Sequence, residues 1–209
     1  MATLAALKTR IILICNRDDM GSGGALEQEL TDAISDTIEE HADEQFWFNH
    51  ISGSKVTVAA TATVAVPSGM RLASDVAYLG RELKKVNLEE IQYRTETGLP
   101  SHWAENEGAI QLWPIPDAVY TLYVYGVEDL GVPSTNASNA WTTTAVELTI
   151  AGVIRRLSLS FRDAELAAWA NINEEKALSK LRRETRKRNQ QALMTDIPPS
   201  RPTFNITTG

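Results

Sequence analysis

The chain has 209 residues, with 20 Lys and Arg against 27 Asp and Glu, three His and a single Cys. This length suits one compact unit, or one unit carrying a smaller insertion, and is enough to bury a real core. One Cys excludes a disulfide framework and any Cys-rich zinc site, a formal charge of −7 argues against a chain that coats DNA with its whole surface, and no apolar run approaches the roughly 20 residues of a membrane span.

The charge is unevenly spread. Residues 176–209 hold eight basic and two acidic residues, so this segment carries +6 and the remainder −13. An acidic body with a basic C-terminal segment is the first functional hint.

Leu4, Leu7, Ile11 and Ile14 recur at helical spacing, and Thr3 can cap a short amphipathic helix over 4–16. The five apolar residues Ile11–Cys15 are too few for a secretory signal, so synthesis in a reducing cytoplasm is expected. Asp18 to Gly24 reads as a turn. Leu26, Leu30, Ile34, Ile38, Ala42 and Phe46 then repeat every four residues, predicting a long helix that ends in Phe46-Trp47-Phe48-Asn49. Three adjacent aromatics cannot share one helical face, so this end should be buried from several sides. Glu39, Glu40, Asp43 and Glu44 fall on the other side and read as a solvated face.

From Ser54 to Val66 the period changes to two, with Val56, Val58, Ala60, Ala62, Val64 and Val66 on one parity. The stretch reads as a half-buried strand or a hairpin, broken near Ala60–Ala62 into two strands. Another strand pair is expected around Gly80-Arg81, a short helix capped by Asn87 over Leu88 to Arg94, and a hairpin tip near Asn106–Gly108. Pro114 and Pro116 keep Trp113–Asp117 out of a central strand, because each removes a ladder donor. Val119 to Val127 is a strong strand, with Tyr120, Leu122 and Val124 on one face and Thr121, Tyr123 and Tyr125 on the other. A polar loop follows at Gly131–Ala140. Val146, Ile150, Val153, Ile154, Leu157 and Phe161 mark a helix over about 143–162. Leu166, Trp169, Ala170, Ala177, Leu178 and Leu181 mark another over about 163–193, and the prolines after Ile197 stop it.

The fold class is therefore α+β. A helical core, built from N-terminal helices and two long C-terminal helices, carries an inserted antiparallel β-rich subdomain and an extended C-terminal tail. The expected division is 1–51 and 129–194 for the two helical parts, 52–128 for the insertion and 195–209 for the tail.

Catalytic and metal chemistry find little support. His41, His50 and His102 have no partner at ligand spacing, and Cys15 sits in an apolar run as a buried structural thiol. The glycines at 21–24 lack the Lys and Ser or Thr of a phosphate loop. No nucleophile, base and orienter come together, so neither enzyme activity nor a cofactor is expected. The run Lys180-Leu181-Arg182-Arg183-Glu184-Thr185-Arg186-Lys187-Arg188 stands out electrostatically. Three readings are open for it: a solvated helix end, a contact with an acidic partner or neighbouring subunit, and a nucleic-acid contact.

Taken in order, the acidic helix with Asp32-Ala33-Ile34 ending in Phe46-Trp47-Phe48, the β insertion, the segment Ile110-Gln111-Leu112-Trp113-Pro114-Ile115-Pro116-Asp117, the strand Tyr120-Thr121-Leu122-Tyr123-Val124-Tyr125 and the helical C-terminus resemble a known family. It is that of the head-to-tail adaptor (connector) proteins of tailed bacteriophages, particularly the short-tailed type. The resemblance covers roughly residues 24–190, and its motifs are structural ones, moderately specific singly. One departure is Ala59 to Thr63, where a glycine is expected at the hairpin turn.

The resemblance implies a non-enzymatic virion protein of the head–tail junction, assembled in the host bacterial cytoplasm. Its partners would be the portal protein, a tail or nozzle protein, and further copies of itself in a ring, usually of twelve-fold symmetry. DNA would pass through the channel without sequence-specific binding, and no membrane is involved. Candidate subunit-interface or portal-contact residues are Arg182, Arg183, Arg186, Lys187 and Arg188 on the basic helix end. Ile197, Pro198, Pro199, Arg201 and Phe204 in the tail join them. A tail-tube or minor tail protein is the first alternative reading, and a nucleic-acid-binding regulator that uses the basic helix is one of another class.

Overall fold

A computed structural model describes residues 3–21 and 23–195, the side chains of 190–195 excepted. Helix α1 (Leu4–Cys15) starts where Thr3 Oγ1 accepts the Ala6 N–H, and it buries Leu4, Leu7 and Ile11. Asn16 ends it in the left-handed region, φ 51°, with its N–H on the Ile12 and Leu13 carbonyls. Cys15 is half-buried at the edge of the core rather than sealed in it, and burial pushes its thiol above the ordinary range. Helix α2 (Ala25–His41) buries Leu30, Ala33, Ile34, Thr37, Ile38 and His41.

α2 is shorter than its sequence period suggests. The buried Asn49 side chain accepts the Phe46 N–H at 2.8 Å and donates to the Glu44 carbonyl at 2.9 Å. Those backbone groups are thereby closed in a turn, and the helix cannot run on to Phe46. The turn aims Phe46 and Phe48 into the core, 5.2 Å apart and stacked, each edge-on to Trp141. Trp47 faces the other way, which resolves how three consecutive aromatics are accommodated.

The β-rich segment forms two four-stranded sheets and a two-stranded one. The first contains β1 (His50–Val56), β3 (Met70–Tyr78), β4 (Arg81–Glu82) and β10 (Thr121–Glu128), in the order β1-β10-β3-β4. The second contains β2 (Thr63–Ala65), β5 (Lys84–Lys85), β7 (His102–Asn106) and β8 (Ala109–Trp113), in the order β2-β8-β7-β5. β6 (Thr97–Gly98) and β9 (Ile115–Pro116) form the small pair beside a cis Trp113–Pro114 peptide. The long pairings are antiparallel, whereas β5–β7 and β6–β9 are short parallel contacts. Val76, Leu122 and Val124 from one sheet meet Val64, Trp103, Ile110 and Leu112 from the other in a common core.

The valine-rich stretch does not fold as a hairpin on itself. β1 pairs with β10 and β2 with β8. Its parity is also reversed locally: Val56 and Val58 are exposed, while Thr57 is buried. Thr57 Oγ1 donates to the Ala118 carbonyl and accepts the Tyr120 N–H, so its hydroxyl holds the crossing chain where a valine could not. The turn expected around Gly80-Arg81 falls one residue earlier, at Leu79-Gly80, and the hairpin tip expected near Asn106–Gly108 turns at Glu107-Gly108, with positive φ at both central residues of each. Helix α3 (Leu88–Ile91) is a single turn, and the Asn87 side chain makes no cap bond to it.

A capping box at Asn139 opens α4 (Ala140–Thr143). α5 (Val146–Phe161) and α6 (Ala164–Thr195) complete the helical part, whose core joins residues of α1, α2, α5 and α6. α5 is the central helix and buries Leu148, Ile150, Val153, Ile154 and Leu157. Trp169, expected in the buried stripe of α6, is 43% exposed.

The departure from the family pattern at 59–63 has a backbone counterpart. Ala60 has φ 62°, and its N–H donates to the Pro116 carbonyl at 2.8 Å. A residue with a Cβ is strained there, while glycine adopts this conformation freely. Ala60→Gly should stabilise the protein by about 0.5–1 kcal/mol after the extra chain entropy of glycine is offset, read as a raised urea midpoint at constant m.

Candidate assembly surface

The carboxylates from Asp36 to Glu44 stay at the surface, as a solvated face would, but they are ion-paired and not free. Glu39 and Asp43 both hold the Arg71 guanidinium, which reaches over from β3. Glu40 takes Arg155 and Arg156 from α5, and Asp36 also reaches Arg156 at 3.5 Å. Glu44 holds Arg182 of α6 in a two-bond contact, one bond 2.9 Å long. Beneath them, Glu174 of α6 accepts from Arg155 at 2.6 Å and contacts the buried His41 at 3.2 Å. Arg71, Arg155, Arg156 and Glu174 carry this network and were not singled out from sequence. The period of α2 shows which residues share a face, but the partners come from distant segments.

Glu40, His41 and Glu174 bring three ligand-type atoms within 4.8 Å of one another. The Arg155 guanidinium already lies on both carboxylates, so a protein cation supplies the compensating charge there. Burial would raise the Glu40 carboxyl. The Arg155 hydrogen bond and the Arg155 and Arg156 charges outweigh it and hold the group below the usual carboxylate range. Burial likewise opposes the charge on Arg155, but bonding to Glu174 and Glu40 prevails and keeps it firmly protonated.

The basic run lies on α6, and the structure divides it. Arg182 is tied to Glu44. The Arg188 guanidinium sits 3.5 Å from the Trp47 ring centroid, a cation–π contact, and Thr185 Oγ1 accepts the Trp47 N–H at 3.2 Å. These two contacts fasten the turn after α2 to α6. Arg183, Arg186 and Lys187 are exposed, and none makes an ion pair among the described residues. Ile197, Pro198, Pro199, Arg201 and Phe204 lie outside the described residues. The cationic face left for a partner is therefore narrower than the run suggests.

Two of the grooves along α6 also reach other elements. One, of about 630 Å³, lies beside Trp47 and Arg188 and is lined also by His50 and Asp75 of the first sheet. The other, of about 370 Å³, runs between α1, α5 and α6 over Ile14, Ile150, Ala177 and Trp169. In the first, the Thr185 hydroxyl donates to the Leu181 carbonyl and accepts the Trp47 N–H, so it is not paired with His50. The arrangement can bind a macromolecular surface through charge and apolar area.

A family model described as SU10 adaptor protein matches residues 2–196. No curated protein matches the chain.

The depressed Glu40 pKa couples stability to pH. The unfolded carboxyl binds a proton more readily than the folded one, so the contribution is complete above about pH 4.5 and fades as pH falls through the lower folded value. Glu40→Gln should lower the urea midpoint at pH 7, and the gap from the unsubstituted protein should narrow below pH ~4. A gap of constant size across that range would show that Glu40 is not the coupled group.

Proposed function

The chain belongs to the SU10 adaptor protein family and is a structural phage protein of the head–tail junction, and from that premise we propose that its copies close into a ring between portal and tail. The ring extends the DNA channel and holds about twelve subunits, as in adaptors of the short-tailed phages. DNA passes through without sequence-specific contacts. Assembly takes place in the host cytoplasm and uses no covalent links, in keeping with a single Cys.

The observation that carries this reading is a match to an adaptor family over nearly the whole described chain. The molecule's physics supports it. A ring subunit needs stiffness and two unlike faces, because head-to-tail contacts that close generate rings. The helical part and the β-rich insertion have separate cores, and the Arg71 contacts clamp them together. In this reading the division is residues 1–51 with 129–194, and 52–128, while the segment from 195 reaches the portal. Arg183, Arg186 and Lys187 offer free positive charge in the C-terminal part of α6, roughly two to three turns before that segment. They suit an acidic portal surface, with Ile197, Pro198, Pro199, Arg201 and Phe204 adding apolar and cationic contacts beyond them.

In this reading Arg182 serves the fold, through Glu44, and Arg183, Arg186 and Lys187 serve docking. Reversing Arg183, Arg186 and Lys187 to Glu should leave the urea midpoint unchanged and weaken portal docking about tenfold or more at low salt. Arg182→Glu should instead destabilise the fold by ~0.5–1 kcal/mol or somewhat more, since it sets two carboxylates against each other at Glu44. Negative-stain images of portal particles mixed with each variant give the readout. Normal, salt-insensitive rings from the triple reversal would sink the portal assignment.

A further inference from the structure

Ring closure requires that one face of the chain recognise a different face of its neighbour, and this inference rests on that reading. We propose that the groove between α1 and α6 receives the Tyr93 side chain of an adjacent copy. Glu89 of that copy pairs with Lys176 and Arg10 on the rim.

The groove is the first half of the pair. Ile14 and Trp169 form its walls and Ile150 and Ala177 its floor, within about 370 Å³, ample for one aromatic ring. Trp169 is 43% exposed, although its helix buries Ala170 beside it. Arg10 and Lys176 stand exposed at the rim, and neither makes an ion pair among the described residues. Glu147 also lines the groove but is paired with Lys180 at 3.2 Å, so the border is net cationic and suits an occupant that joins an aromatic to a carboxylate.

The insertion presents such a group. Tyr93 is 85% exposed, more than any other large apolar or aromatic side chain among the described residues. It sits on a fixed base and not on a loose loop. Ile91, two residues earlier, is buried, the Gln92 and Arg94 N–H groups close the turn onto Leu88 and Ile91, and the Arg94 guanidinium packs 4.5 Å from the Trp113 ring centroid. Little ordering remains to be done on binding. Glu89 stands one turn before Tyr93, exposed and without an ion pair among the described residues. The Arg94 charge is engaged elsewhere, over Trp113 and on the Glu90 carbonyl.

Knob and groove lie on different parts of the chain, one on the β-rich insertion and one on the helices. Each copy can therefore give one and receive one, as a closed ring demands. Aromatic anchors at a desolvated centre with charges at the rim match the anatomy of tight protein interfaces.

The test places cysteines beside the contact without touching its anchors. In a Cys15→Ser background, Gln92→Cys and Asn173→Cys flank the knob and line the groove. Particles assembled with this full-length variant are treated with a short bismaleimide and run on a denaturing gel. The proposal expects a covalent ladder of dimers, trimers and higher multimers, with no ladder from either cysteine alone. Rings visible in the microscope without a ladder would overturn the surface pair and leave the ring intact. Absence of any ring on the portal would overturn the ring itself and this pair with it. Charge exchange supplies the second arm: Lys176→Glu and Glu89→Lys should each cut assembly about tenfold, and together should recover to within about threefold. Additive losses would assign the groove to another occupant, a portal segment for instance, and overturn the proposal.

Discussion

The clamping of the far half of α2 by arginines from three other elements is the constraint on which the architecture rests. Arg71 comes from the first sheet, Arg155 and Arg156 from α5, and Arg182 from α6. Without Arg71 the insertion would meet α2 with Glu39 and Asp43 uncompensated. Single exposed ion pairs contribute little, but here the charges share partners, and Glu174 is nearly buried. Removing Arg155 would cost most, because it would leave the nearly buried Glu174 without its cation, whereas the outer carboxylates stay in contact with water.

The network depends on a close approach of backbones. Gly152 of α5 faces Thr37 of α2, and a Cβ there would stand 2.5 Å from the Thr37 methyl. Thr37 is itself buried, with its hydroxyl turned back onto the Ala33 carbonyl, so it presents a methyl to Gly152 and spends its polar group within α2. The crossing at Gly152 places Arg155 and Arg156, one turn on, against Glu40 and Asp36. Backbone spacing therefore sets the electrostatics: a wider crossing would lengthen every arginine contact between the two helices.

How much of this was legible in sequence depended on whether the signal was local. The helices α1, α5 and α6, the strand β10 and the glycine turns at 80 and 108 follow from periodicity and turn chemistry, and they lie close to where those signals place them. What failed was one side-chain turn close in sequence and several contacts remote in it. The period of α2 runs on to Phe46, yet Asn49 takes the backbone groups that continuation would need. The valines at 56 and 58 imply a buried parity, yet the crossing segment at 118–120 calls for a hydroxyl, and Thr57 goes in. The acidic face of α2 looks unpaired because its arginines are remote in sequence. The residues left over after the in-chain pairs form, Arg183, Arg186 and Lys187, could be told from Arg182 and Arg188 only once Glu44 and Trp47 were placed.

That subtraction changes the meaning of the charge distribution. The split between an acidic body and a basic end looks like two complementary faces ready to meet across a subunit boundary. Much of the attraction is instead satisfied inside one chain, where it fixes the orientation of the insertion. Among the charges left outside are three cations in the C-terminal part of α6, two at the rim of the α1–α6 groove, and a carboxylate beside Tyr93. Charges spent internally make the subunit stiff, and a stiff subunit can close a ring through a few unspent charges, because little flexibility has to be frozen when it docks. In such a protein, specificity between copies follows from which charges the fold leaves unpaired, more than from net charge.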